Sequence, residues 1–307
     1  MKNFLPEGSL IDTAENKQAL SSLAQLRIAA QNGTVLEARA ELCDKEHNLH
    51  LRLGDIPAII PKNEGALGIE DGSVRDIAVI SRVNKPVCFK IIDFDRNSDG
   101  NIRAVLSRKE VQLECKKEYI ASLSSGDVIP AYVSHMESFG VFLDIGAGLN
   151  ALMPIDSISI SRIPHPNARF TQGQKIKAIV KGIDEQGRIT LSHKELLGTW
   201  EENARMFSPG ETVPGIVRSV EKYGIFIELT PNLAGLAEYS SDIKTGQYAS
   251  IYIKSMNPER MKIKLIVVDC FDAQYEPTQL KYFTQLDHIS HWVYSPQGCS
   301  KVIESVF

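Results

Sequence analysis

From Gly33 to Asp269 the chain is written in short runs of alternating apolar and polar residues, cut by turns rich in glycine, proline and acidic residues. Alternation of this kind places one face of an extended segment in a core and the other in solvent, so each run predicts a strand. The first series is TVLEARAELCD, then NLHLRLGDIPAIIP after a Lys45-Glu46-His47 turn, then DIAVISRV, KPVCFKIIDFD and IRAVLSRK. A second, cleaner series follows: DVIPAYVSHM, GVFLDIG, ALMPI after a Gly146–Gly148 turn, KIKAIVKGID and RITLSHKEL. Strands this short, separated by turns, point to small barrels or sandwiches. Helical spacing shows only at the margins. Thr13 is placed to cap a helix running to about Ala30, with Leu20, Leu23 and Leu26 on one face and Gly33 as its stop. KEVQLECKKEYIASL and LLGTWEENARMF read as helical connectors.

The second series returns a third time. SPGETVPGIVRSVEKYGIFIELTPNLAGLAEYS lies over SSGDVIPAYVSHMESFGVFLDIGAGLNALMPID almost position for position. GQYASIYIKSMNPERMKIKLIVV then lies over GQKIKAIVKGIDEQGRITLSHKE with one extra residue in the turn. The copies start at Ser124 and Ser208, 84 residues apart, which is too long for a solenoid repeat and fits tandem copies of one domain. The first series joins them through IRAVLSRKE, which matches GRITLSHKE, so Arg103 answers Arg188. There, however, His47, Asn48, Leu49 and His50 replace the aromatic-Gly-Val-aromatic element. The chain therefore divides into an arm and helix (1–32), a degenerate first domain (33–110), a linker helix (111–123), a second domain (124–197), a linker (198–207), a third domain (208–269) and a tail (270–307). The tail, rich in aromatics, reads either as a segment packed back on the third domain or as a docking segment for another macromolecule.

Composition narrows the classes. With 307 residues, 43% hydrophobic and 23% charged, the chain is globular and long enough for two or three cores. A net charge of −4 argues against a general basic surface for nucleic acid, leaving local patches open. Five scattered cysteines without a C-x-x-C pair favour reduced thiols in a cytosolic protein over disulfides or zinc. The first residues lack the basic start and apolar core of a signal peptide, and no window resembles a membrane span. No glycine-rich phosphate loop, H-E-x-x-H or G-x-S-x-G occurs, and the acidic residues are dispersed, so the expectation is a protein with no catalytic residues, metal or cofactor.

Chemistry then rests on the exposed face of each barrel. Aromatic rings there stack on unpaired bases at roughly 1–3 kcal/mol per base without reading sequence. Phe139 and Phe142 are the candidates in the second copy. Residues three apart in a strand face opposite sides, so either Gly140 bends the strand and brings both rings to one surface, or one ring is core. Arg188 is placed to offer a planar cation to phosphate or base, or else is a solvated hairpin arginine paired with Asp184 or Glu185.

Gly126, Phe139-Gly140-Val141-Phe142, Gly148 to Ile155, Gly173, Asp184 and Arg188-Ile189-Thr190-Leu191-Ser192 together resemble the S-one-motif RNA-binding repeat, specifically in the second and third copies and weakly in the first. The resemblance implies a five-stranded OB-fold barrel whose nucleic-acid face carries two aromatics, a histidine, and the aspartate and arginine of the last hairpin. It supports Phe139, Phe142, Asp184 and Arg188 as RNA-binding residues, with Pro154 standing where the histidine is usual. In the third copy Tyr223 and Phe226 match the aromatics, Lys262 the arginine, Asn257 the aspartate and Glu238 the histidine; a carboxylate there opposes phosphate and implies weaker binding. In the first copy only Arg103 and Asp93 answer the motif, with His47 and His50 in place of the rings. The expectation is an all-β chain of three tandem five-stranded OB-fold barrels with short connecting helices. It is a cytoplasmic, non-enzymatic protein that binds single-stranded RNA (mRNA or rRNA) and is linked to translation or the small ribosomal subunit. The alternative is a protein-interaction scaffold or regulator built from OB barrels that have largely lost RNA binding.

Overall fold

The computed structural model describes residues 4–97, 99–272 and 280–307. Three closed five-stranded barrels follow one another. The first is built from β1 (Leu36–Cys43), β2 (Leu49–Leu53), β3 (Ile56–Ile60), β4 (Pro86–Arg96) and β5 (Ile102–Ser107). The second uses β6 (Val128–Glu137), β7 (Gly140–Asp144), β8 (Asn150–Pro154), β9 (Lys175–Ile183) and β10 (Ile189–Ser192). The third uses β11 (Thr212–Glu221), β12 (Gly224–Thr230), β13 (Leu233–Ala237), β14 (Tyr248–Asn257) and β15 (Lys262–Phe271). In each, the first three strands form a meander, the fifth pairs parallel with the third, and the fourth closes the ring by pairing with both the fifth and the first. This is the OB-fold connectivity.

The period-two pattern accounts for the cores. Along β6, Ile129, Ala131 and Val133 point inward; along β7, Val141 and Leu143 do the same. The run DIAVISRV breaks the expectation. Instead of a strand, Ile77–Ile80 is a short helix in the connection between β3 and β4, with Val79 fully buried. Its β-branched residues favour a strand locally, but five other strands already close the barrel, so no edge is left to pair with.

The chain forms two compact units. One holds the residues up to Leu123 together with Asp144–Asn150; the other holds Ser124–Leu143 with Ala151–Phe307. In the first unit the expected N-terminal helix is two helices, Ala14–Ala19 capped by Thr13 and Leu23–Gln31 capped by Ser22. Leu26 and Ala29 enter the core of the first barrel. The Asn16 side chain bonds both the N–H and the C=O of Glu37, acting as a strand partner for β1. The Glu37 carboxylate in turn accepts from the backbone N–H groups of Gly8, Leu10 and Ile11 and fixes the arm; residues 1–3 of that arm lie outside the described residues.

In the second unit the polar excursion after β8 docks on the third barrel: Ile160 N–H donates to Asn232 Oδ1 at 3.0 Å and Ser161 N–H to the Pro231 carbonyl at 3.1 Å. Arg169, at the end of that excursion, meets Glu228 of β12, which also pairs with Arg218; Arg169 and Glu228 are buried and Arg218 is half-buried. The tail is not confined to the third barrel. Val128 N–H donates to the Asp287 carbonyl and Ile289 N–H to the Gly126 carbonyl on the second barrel. Trp292 and Tyr294 join Trp200 in the core of the third. Residues 273–279 of the tail lie outside the described residues.

Candidate nucleic-acid interface

The two rings of the second barrel share one surface. Phe139 sits in the turn just before β7 and is 54% exposed; Phe142, in the strand, is half-buried; neither enters the core. Their centroids lie 6.1 Å apart with planes at 88°. The parity rule fails here because Phe139 precedes the pleated segment. Gly140 acts through close approach: a Cβ there would lie 2.5 Å from the Met153 carbonyl oxygen of β8. With the strands that close, Ile155 N–H donates to the Phe139 carbonyl at 3.0 Å and pins the ring's backbone.

The third barrel rebuilds this geometry from different residues. Tyr223 is 70% exposed, Phe226 is half-buried, and their rings are again 6.1 Å apart at 84°. Gly224 repeats the close approach, with a Cβ meeting the Ala237 carbonyl oxygen at 2.6 Å.

The cations differ between the two faces. Arg188 is exposed, and its Nε donates to Asp184 Oδ2 at 2.6 Å. Asp184 Oδ1 also accepts the backbone N–H groups of Arg188 and Gln186; the bonds from Arg188 and Gln186 hold its carboxyl below the usual carboxylate range. Of the two sequence alternatives for Arg188, the structure shows the hairpin arginine paired with Asp184, its guanidinium still solvent-exposed. In the third barrel Asn257 takes the aspartate's place and caps the turn by accepting from Arg260 N–H, so Lys262, its register partner, is exposed without that carboxylate.

One ring on this surface lies outside the motif's own set. His135 of β6 stacks on Phe142, centroids 6.3 Å apart at 22°, and bonds Glu137 at 2.5 Å. The motif puts its histidine elsewhere, at Pro154, which packs beside Gly140. Period two along VSHME, with Val133 core, sets His135 on the same side as Val133, yet His135 is exposed; only the folded strand reveals the outward ring.

Among the described residues the first barrel carries no ring pair. His47 and His50 take the aromatic positions, but His47 Nδ1 bonds Asp76 and His50 Nε2 bonds Asp44, each at 2.8 Å. Asp76 is bonded by Lys62 as well, and Asp44 is held down to about 2: burial raises it, and the His50 and Asn48 bonds outweigh that. Arg103 pairs in a bidentate fork with Asp95, at 2.9 and 2.6 Å, and not with Asp93; the register sets Asp95 opposite Arg103 and Asp93 opposite Val105. Elsewhere, His193 is fully buried, with its pKa lowered to about 4 by burial, and is edge-on to Phe170 and Tyr282. Among the described residues no group of three or more His, Cys, Asp or Glu is arranged to hold a metal ion, and no helix is long and apolar enough to cross a membrane.

Closed OB barrels in tandem, two of them presenting a perpendicular ring pair, define a modular OB-fold protein of the type that carries nucleic-acid-binding faces. Residues 122–194 match the S1 RNA binding domain, and the chain belongs to the S1-motif family, resembling the ribosomal protein bS1. It is 31% identical over 230 residues to the small ribosomal subunit protein bS1 homolog of Bacillus cereus, covering 67% of this chain and 59% of that one. Against bS1 of Leuconostoc lactis it is 30% identical over 199 residues, covering 59% and 46%. Against bS1 of Staphylococcus aureus it is 30% identical over 216 residues, covering 65% and 52%. The chain spans about half the length of these curated relatives.

Proposed function

We propose that the chain is a non-enzymatic, cytoplasmic RNA-binding protein that grips single-stranded RNA on the outer faces of its second and third barrels and works in translation, in contact with mRNA or with rRNA of the small ribosomal subunit. The observation that carries the reading is the duplicated ring pair. Two faces built from different residues hold their rings at one separation and nearly one angle. Perpendicular rings cannot sandwich one base. They offer a face and an edge to successive bases, a sequence-tolerant mode of binding. Phe139, Phe142, Asp184 and Arg188 form the second-barrel face and Tyr223, Phe226 and Lys262 the third. Two modest faces on one chain act together through effective concentration. The bS1 names of the relatives support the link to the small ribosomal subunit.

A scaffold reading draws on a separate observation: both basic groups of the second face are internally paired, Arg188 with Asp184 and His135 with Glu137. Titration of labelled single-stranded RNA against the wild type and Phe139→Ala/Phe142→Ala decides between them. Loss of at least a tenfold share of the affinity in the variant is expected. No binding by the wild type at tens of micromolar, or an unchanged affinity in the variant, refutes the RNA reading of this face.

A further inference from the structure

Resting on the reading of the third face as an RNA site, we propose that Arg260 and Lys264, two residues outside the motif's own set, form with Lys262 a cationic ridge that grips the phosphate backbone. On this proposal the third barrel supplies most of the protein's electrostatic hold on RNA. The register sets the geometry. Phe226 of β12 pairs with Leu236 of β13, and Leu236 pairs with Lys264 of β15, so the three lie in one row across the sheet. Phe226 and Leu236 are both outward and part-exposed, and Lys264 is exposed on the same side. Neighbouring strands are about 4.8 Å apart, which puts the Lys264 Cα about 10 Å from that of Phe226. A strand whose base stacks on Phe226 thereby passes its phosphates within reach of the lysine's long stem. The second barrel has Thr190 at the corresponding place, paired with Leu152, and so has no such cation.

Two local changes leave the ridge uncompensated. Asn257 replaces the aspartate that neutralises Arg188 in the second barrel, and its amide oxygen is spent on the Arg260 N–H. The extra residue in this turn makes a short 3-10 turn, Pro258–Arg260, closed by Met261 in the left-handed region, and it brings Arg260 into the hairpin ahead of Lys262. Among the described residues no ion pair engages Arg260, Lys262 or Lys264, although Glu259 precedes the arginine and Glu238 follows β13. The expectation that Glu238 makes this copy the weaker one is therefore opposed by the loss of the aspartate and the gain of two cations.

Each phosphate neutralised on a single strand contributes about 0.7 to the slope of log K against log salt. The test is a salt series on the full chain with an oligouridylate probe, comparing wild type, Arg260→Gln/Lys264→Gln and the graft Thr190→Lys. The double variant should lower the slope by about 1.4 and the graft should raise it by about 0.7. All three substituted positions are on strands or turns at the surface, and a thermal melt confirms that each variant is folded. If Tyr223→Ala/Phe226→Ala weakens RNA binding but the double variant keeps the wild-type slope, the ridge is refuted while the RNA reading of the third face stands; if that ring variant binds as the wild type does, the third-face reading falls and the ridge with it. If the wild type binds no RNA, both fall.

Discussion

Substituting Glu228 by glutamine should unfold the second unit far more readily than any change at the proposed RNA faces. Glu228 is 5% exposed and lies between two guanidinium groups, at 2.5 Å from Arg169 Nη2 and 2.7 Å from Arg218 Nε, with a second contact to Arg218 Nη2 at 3.1 Å. Arg169 is 3% exposed, and its Nε is buried without a hydrogen-bond partner, so this arginine depends on the carboxylate. Glutamine keeps the shape and removes the charge, so the buried Arg169 and the half-buried Arg218 lose the carboxylate they share. Breaking a buried pair this way costs about 3–5 kcal/mol, because the orphaned charge stays desolvated. Removing the charges together, as in Arg169→Met/Arg218→Leu/Glu228→Met, should cost much less, since the desolvation of all three groups disappears with them. Both tryptophans of the chain, Trp200 and Trp292, belong to the core of this unit, so the fluorescence transition in urea reports on it alone. A cost below about 1 kcal/mol for Glu228→Gln, or a triple variant less stable than the single one, refutes the account.

Two further outcomes follow from named contacts. His193 is depressed from 6.5 to about 4 by burial, so it folds neutral and the unfolded chain takes up its proton first. Stability of the second unit is then full above pH 6.5 and falls as the pH drops, by about 2 kcal/mol at pH 5. The tryptophan-monitored urea midpoint should show that loss in the wild type and not in His193→Gln, and a wild-type midpoint flat from pH 7 to 5 contradicts it. Gly140→Ala should destabilise by about 1–3 kcal/mol and weaken RNA binding through displacement of Phe139, because its Cβ would press on the Met153 carbonyl. Gly182→Ala, where a Cβ meets nothing within 4 Å, is the matched control, and equal losses in the two variants contradict the close-approach role.

The sequence by itself determined the barrels. Alternation fixes which residues of β6, β7 and β12 are core, and the near-identical order of turns in the second and third copies fixes that they share a fold. The element F-G-V-F against Y-G-I-F marked both ring pairs before any coordinate. What lay beyond it are decisions made between segments remote in the chain. DIAVISRV has strand propensity, yet it is a helix because barrel closure leaves it no partner. His135 joins Phe142 across two strands, and Arg103 takes Asp95 over Asp93 because strand register and a local bulge rather than spacing choose its neighbour. Whether Gly140 bends a strand or admits another could be settled only by Met153, thirteen residues away on β8. The charge of each face was likewise undecidable from composition: the same residue types give an ion-paired cation at Arg188 and, among the described residues, cations without an ion pair at Lys262 and Lys264. Ion pairing depends on distances of a few ångströms across a folded sheet, and a linear pattern carries no such distances.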